Sequence, residues 1–307
     1  MLVHGNNLTA KENHKKKYQD KQSKIYLAEI REQYNQWHQQ NIELIGPVIK
    51  AEGDDKQVVE ERVKLFEEYK TFLDQQHYAE HFDSRSNLHS TVLEEFIYYL
   101  FKDLVSDFGE FALIGKSNTF KDIFFVAPNY SRLLESPHGK IEKKDHDFVI
   151  GVTVKASLET TQPGTSETET SQVQADAEKD DRSEIHFFDI PVIAIECKTY
   201  LDKTMLEGSS RAAEELKARN PNGLYIVVME WIKLSDRVNL RKYKVDQIYV
   251  LRKQKNTDRE YRYAEDYIKK PIDVDAVWHL FSTVRNHLTA DWKGGIEYGI
   301  QRGWLLD

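Results

Sequence analysis

The chain has 307 residues, 40% apolar and 31% charged, with a net charge of −8. That apolar share allows a buried core and excludes wholesale disorder. No run approaches the ~20 apolar residues of a bilayer crossing, no apolar h-region follows the first three residues, and Cys197 is the single cysteine. No membrane, secretory signal, intramolecular disulfide or Cys-rich zinc site is therefore expected, and the cytoplasm is the expected compartment.

In chain order, residues 10–46 read as a helix, with Ile25, Ile30, Tyr34 and Trp37 at helical spacing until Gly46-Pro47 breaks it. Residues 57–77 read as a second helix with an apolar stripe from Val58 to Phe72. Together they predict a helical N-terminal region, 1–80, folded as a hairpin on the main body. Its start holds six lysines and two acids over 11–24, and is alternatively an arm that touches phosphates. Ser90 suits an N-cap, close to a capping-box pattern, for a helix to about 106 that buries Leu93, Phe96, Ile97, Leu100 and Leu104.

Residues 111–115 and 123–126 read as short strands, and 147–154 as another. Residues 157–184 have almost nothing to bury, and 159–184 carries eight acids against two bases; a flexible acidic insertion is expected. Order is expected to return at Phe187. Residues 190–195 are apolar on both faces, as in a central strand covered by helices, with Pro191 suited only to its beginning. A helix over 203–218, a buried strand at 224–229, an edge strand at 247–251 and a helix over 274–288 follow. The order predicts an α/β fold with a mixed central sheet flanked by helices.

The chemistry is concentrated at Ile195-Glu196-Cys197-Lys198. Alternation along a strand points Glu196 and Lys198 the same way and Cys197 the other. If the strand that begins at Asp147 is its neighbour, Asp147 and Glu196 converge. Two close carboxylates repel, and a hard divalent cation such as Mg²⁺ relieves the repulsion. Such a centre hydrolyses phosphodiesters, with Lys198 steadying the attacking hydroxide or the charge on phosphorus. Glu94 or Glu95 on the preceding helix offers a third carboxylate, with Glu94 preferred because it abuts a buried side chain. Asp145 rivals Asp147, which is favoured because it directly abuts the apolar strand.

This D-(x)n-E-x-K pattern, in this element order, resembles the PD-(D/E)XK nuclease superfamily. Residues 195–210, with 89–96 upstream, resemble a narrower group: type II restriction endonuclease subunits of two-subunit enzymes that cut asymmetric interrupted sites. The resemblance spans roughly 80–300 and implies a restriction-endonuclease-like core over 81–307. It implies a Mg²⁺-dependent endonuclease on double-stranded DNA, with Mn²⁺ able to substitute. Asp147 and Glu196 match the metal-holding acids, Lys198 the catalytic lysine, and Glu94 a supporting residue. Cutting two strands implies a homodimer or a heteromer with a related subunit. Lys203 and Arg211 are candidates for the DNA backbone or for simple helix decoration, and Arg85 and His89 are further candidates. The basic stretch 241–270, with Tyr243, Tyr249, Tyr261 and Tyr263 interleaved, is either a phosphate track or a solvated edge. The competing readings are another nuclease of the superfamily, for repair or phage defence, and a non-catalytic DNA-binding subunit.

Overall fold

The computed structural model describes residues 2–50, 53–82, 87–135, 138–159, 183–257, 263–290 and 300–301. The expected first helix, 10–46, holds only from Lys21 as α2 (Lys21–Glu43), and its first residues belong to a separate helix that starts earlier, α1 (Val3–Glu12). Between them Tyr18 adopts φ 60, which no helix interior accommodates. Asp20 then starts α2, its carboxylate accepting the Ser23 backbone N–H at 2.8 Å. The second expected helix is also divided, into α3 (Asp55–Leu73) and the short α4 (Gln76–His81).

The next helix, α5 (Ser90–Ser106), buries the expected face and much of the rest of its circumference. Ser90 does not cap it. His89 holds the N-cap position without a side-chain cap bond, and the Ser90 hydroxyl donates instead to the Asn87 carbonyl at 3.3 Å.

The two short strands expected at 111–126 are one, β1 (Ala112–Val126). The short α6 (Tyr130–Glu135) leads to β2 (His138–Glu159), and β3 (Ser183–Leu201) follows. Then come α7 (Lys203–Arg219), β4 (Leu224–Ile232), β5 (Gln247–Val250) and α8 (Val274–Thr289). Asp202 and Asp273 cap α7 and α8 through the Met205 and Ala276 N–H groups, at 2.9 and 2.8 Å.

The sheet order is β1-β2-β3-β4-β5. The pairs β1–β2 and β2–β3 are antiparallel, and β3–β4 and β4–β5 are parallel, so the sheet is mixed as expected. The β2–β3 ladder runs out to Glu159↔Ser183, which places 157–159 and 183–184 in strands rather than in an insertion. The remainder of the expected insertion, 160–182, lies outside the described residues. Pro191 sits inside β3, not at its beginning. It pairs with Gly151 where the ladder shifts register, and β4 joins β3 only from Ile193. A Cβ on Gly151 would lie 2.1 Å from the Ile190 carbonyl oxygen, so only glycine permits this approach.

Alternation sends Ile193, Ile195 and Cys197 into one core with α5 and α8, and Ala194 into a second core with Leu206, Ala213 and Leu216 of α7. The first core also takes in Leu8, Ile30, Trp37, Val63 and Phe66 of α1–α3. Among the described residues no helix is long and apolar enough to cross a membrane.

Candidate active site

The site forms where β2 leaves β3. Their ladder ends at Phe148↔Ile195. One residue further, the Cys197 N–H is accepted by the Asp147 side chain, at 2.9 Å to Oδ2. On its other edge β2 pairs Val149 with Gly115 and His146 with Ser117, so the single residue Lys116 faces both Asp147 and Phe148. This bulge, with Gly115 at φ 113, re-aims Asp147 toward the end of β3.

Lys198 lies between the two acids, its Nζ 2.8 Å from Glu196 Oε1 and 3.6 Å from Asp147 Oδ2. The structure therefore brings Asp147, Glu196 and Lys198 together. Tyr225, at the head of β4, donates its hydroxyl to Glu196 Oε2 at 2.8 Å. Burial alone would raise the Glu196 carboxyl, but Lys198 and the Ser209 and Tyr225 hydroxyls outweigh it and hold it below its ordinary value. Burial alone would likewise lower Lys198, and Asp147 and Glu196 raise it instead.

Glu94 reaches the same place from α5. It is pushed up to about 7, first by burial and then by the Asp147 charge. Lys116 is its nearest cation, 3.5 Å from Oε2, and that buried oxygen has no hydrogen-bond partner. Glu95, one residue on, turns the opposite way. It accepts from the His4 and Gly5 N–H groups at 2.8 and 3.1 Å and from the Tyr34 and Tyr99 hydroxyls at 3.0 and 2.6 Å. Of the two glutamates, Glu94 is the one the structure brings to Asp147.

The remaining expectations divide. Asp145 is exposed and pairs across the ladder with Asn118, away from the acidic pair. Lys203 and Arg211 are exposed on α7, Lys203 beside Glu207 at 3.7 Å. Arg85 and Tyr261 lie outside the described residues. His89 is half-buried against Asp74, at 3.3 Å. The described part of the 241–270 stretch divides, with Arg241, Lys242 and Lys244 exposed and much of the remainder paired or buried. Tyr243 and Tyr249 are buried, and Arg252 is fully buried between Glu230 and Glu67, at 3.1 and 2.8 Å. Lys253 pairs with Asp273 and Lys269 with Asp74.

Lys116, Ser209 and Tyr225 were missing from the sequence reading. Only Gly115 signalled one of them, since an isolated glycine in a strand pattern marks a bulge. Tyr225 and Ser209 reach Glu196 through tertiary packing.

Among the described residues no group of three or more His, Cys, Asp and Glu side chains is gathered into a metal cage. The donor set nevertheless suits a hard cation. It consists of carboxylate oxygens, one of them buried and unpartnered on a glutamate that a neighbouring acid repels.

The mixed sheet carries Glu196 and Lys198 on its central strand β3 and Asp147 on the neighbouring β2, the arrangement expected of a PD-(D/E)XK nuclease. Residues 85–304 match the family model of the Bpu10I restriction endonuclease. The chain belongs to that family and is a type II site-specific endonuclease. Its fold is also that of a chain in a solved structure of the native BbvCI A2B2 tetramer, with a TM-score of 0.63 at 18% identity over 95% of this chain and 98% of that one. No curated protein matches it.

Proposed function

We propose that this endonuclease hydrolyses phosphodiester bonds of double-stranded DNA at a specific site, with Mg²⁺ held by Asp147 and Glu196 and Mn²⁺ able to replace it. The observation that carries the reading is the meeting of Asp147 and Glu196 at the Lys198 ammonium, both within 3.6 Å of it, with the buried Glu94 carboxylate raised by Asp147 beside them. The cation, when bound, would polarise the scissile phosphate and lower the pKa of a bound water. Lys198, raised by its acidic neighbours and so charged at neutral pH, faces the charge that develops on phosphorus or steadies the hydroxide. Tyr225 fixes the Glu196 carboxylate by holding the oxygen that Lys198 does not. Glu94, beside Asp147, supplies a further oxygen to the cation directly or through water.

Two strands require two active sites or two turnovers of one. The A2B2 assembly of the structural neighbour supports a multi-subunit enzyme, a heteromer with a related subunit or a homodimer. Digestion of plasmid DNA with Mg²⁺, by the chain alone and with its companion subunit, tests the reading. Discrete fragments are expected from the unaltered protein. Lys198→Ala is expected to bind DNA yet cut at least ~100-fold more slowly. Full cleavage by that variant removes Lys198 from the chemistry, and no cleavage under any pairing leaves a DNA-binding subunit with inert acids.

A further inference from the structure

Beyond the acids, an exposed polar face lies along the first two strands of the sheet. Among the described residues the backbone pairing of β1 with β3 is the one position Thr119↔Asp189. From there outward β1 is paired with β2 alone, through Phe120↔Lys143 to Val126↔His138, as a two-stranded antiparallel ribbon. At the root of that ribbon Asn118 and Asp145 stand directly opposite each other. Both are exposed, and neither makes a hydrogen bond or ion pair with another described residue through its side chain. With Lys116 and Lys143 they line an open groove of about 660 Å³, whose far wall is Phe187–Asp189 of β3. That wall is fixed, since Asp189 accepts from the Ser117 and Thr153 hydroxyls.

We propose that this face reads the recognition sequence, with Asn118 and Asp145 contacting base edges. The inference rests on the DNA endonuclease reading above. Three observations support it. First, the groove adjoins the active site, since Lys116 lines it and lies 3.5 Å from Glu94. Asp145 is two residues from Asp147 and Asn118 two from Lys116, about 7 Å along a strand. Second, segment 116–146 carries six basic and four acidic residues in a chain of net charge −8, so the ribbon is locally attractive to a polyanion. Third, Asp145 suits bases and not backbone. A carboxylate is repelled by phosphates, and it is tolerated against DNA where it accepts from the amino group of a cytosine; an Asn amide suits adenine. A two-stranded ribbon is also narrow enough for the major groove. At ~3.4 Å per base pair, Asn118 and Asp145 would govern positions about two to four base pairs from the scissile bond.

The test is cleavage of a duplex library randomised around the cut, using the enzyme with any companion subunit its activity requires. Asn118→Ala and Asp145→Asn are compared with the unaltered protein after matched melting curves. Each variant is expected to cut the preferred sequence, while its discrimination at one nearby base pair falls roughly 5- to 150-fold. An unchanged cleavage pattern in both overturns the proposal. A uniform loss at all sequences with a shallower salt dependence makes them phosphate contacts and overturns it too. So does an intact pattern with a lighter assembly by light scattering, which gives the ribbon, with its exposed Phe124 and Phe125, to a neighbouring subunit. Absence of any defined site for the unaltered enzyme overturns the reading beneath.

Discussion

The two sides of α5 set adjacent glutamates to opposite tasks. Glu95 is fully buried and accepts four hydrogen bonds, from two backbone N–H groups of α1 and from Tyr34 and Tyr99. Glu94 is nearly as buried, yet it has an acid for a neighbour, and its Oε2 has a single ion pair, to Lys116 at 3.5 Å, in place of any hydrogen bond. Burying a carboxylate costs several kcal/mol unless its oxygens are satisfied. A saturated carboxylate ties the N-terminal helices to α5, whereas an unsaturated one is a strain that a cation can relieve. In the cluster around β4, Lys70, Arg252 and Lys269 meet Glu67, Asp74 and Glu230 with opposite signs in contact, and Glu230 Oε1, like Glu94 Oε2, has a lysine ion pair in place of a hydrogen bond. Charge burial alone does not mark a catalytic centre; what sets Glu94 apart is the neighbouring acid, Asp147, that raises it.

Breaking the saturated side has the largest expected effect. Glu95→Ala leaves four buried donors without their acceptor and is expected to cost about 3–5 kcal/mol in urea unfolding. Cleavage per folded molecule is expected to hold. A loss of cutting greater than the unfolded fraction explains gives Glu95 a part in the site. Glu94→Gln is expected to act in the opposite sense. In EDTA at pH 8 it removes a buried, repelled charge and gains about 1–3 kcal/mol of stability. With Mg²⁺ its cleavage is expected to fall at least ~100-fold. Loss of both stability and cutting together places Glu94 with Glu95 as a structural residue.

The sequence made the parallel half of the fold legible because its signals are local. Leu206, Ala212, Ala213 and Leu216 mark α7 and Val277, Leu280, Phe281 and Val284 mark α8 by helical spacing, and 190–195 and 224–229 are buried apolar runs. Asp147, Glu196 and Lys198 could be paired in advance because strand alternation fixes their faces and one neighbour relation does the rest. The bulge opposite Lys116 was hidden, because it depends on a register set by two strands at once. The continuity of β1 and the outward run of β2 and β3 were hidden for a related reason. Ladders hold polar strands such as 138–146 without an apolar alternation to announce them. The 241–270 stretch stayed open between two readings because composition counts cations without their partners. Arg252 finds Glu67 across 185 positions of chain.

The smallest expected effect probes the satisfied side of α5 through pH. The His4 ring is fully buried, with Nδ1 2.9 Å from the Thr91 hydroxyl and Nε2 2.7 Å from that of Tyr69. Burial, reinforced by nearby cations, holds its pKa well below 6.5. As pH falls through 6.5 the unfolded chain therefore takes up a proton that the folded chain refuses. The stability lost is at most ~1.4 kcal/mol per pH unit, and the loss stops at the folded pKa. Above about pH 7.5 both states are neutral at this ring and the contribution is whole. His4→Gln keeps a polar side chain there and cannot titrate. The stability gap between the unaltered protein and His4→Gln, from urea unfolding at pH 8 and at pH 5.5, is expected to narrow with acid. A gap that stays constant means the folded protein accommodates the imidazolium. In that event the satisfied side of α5 would tolerate an added charge, and the contrast with Glu94 would no longer be one of saturation.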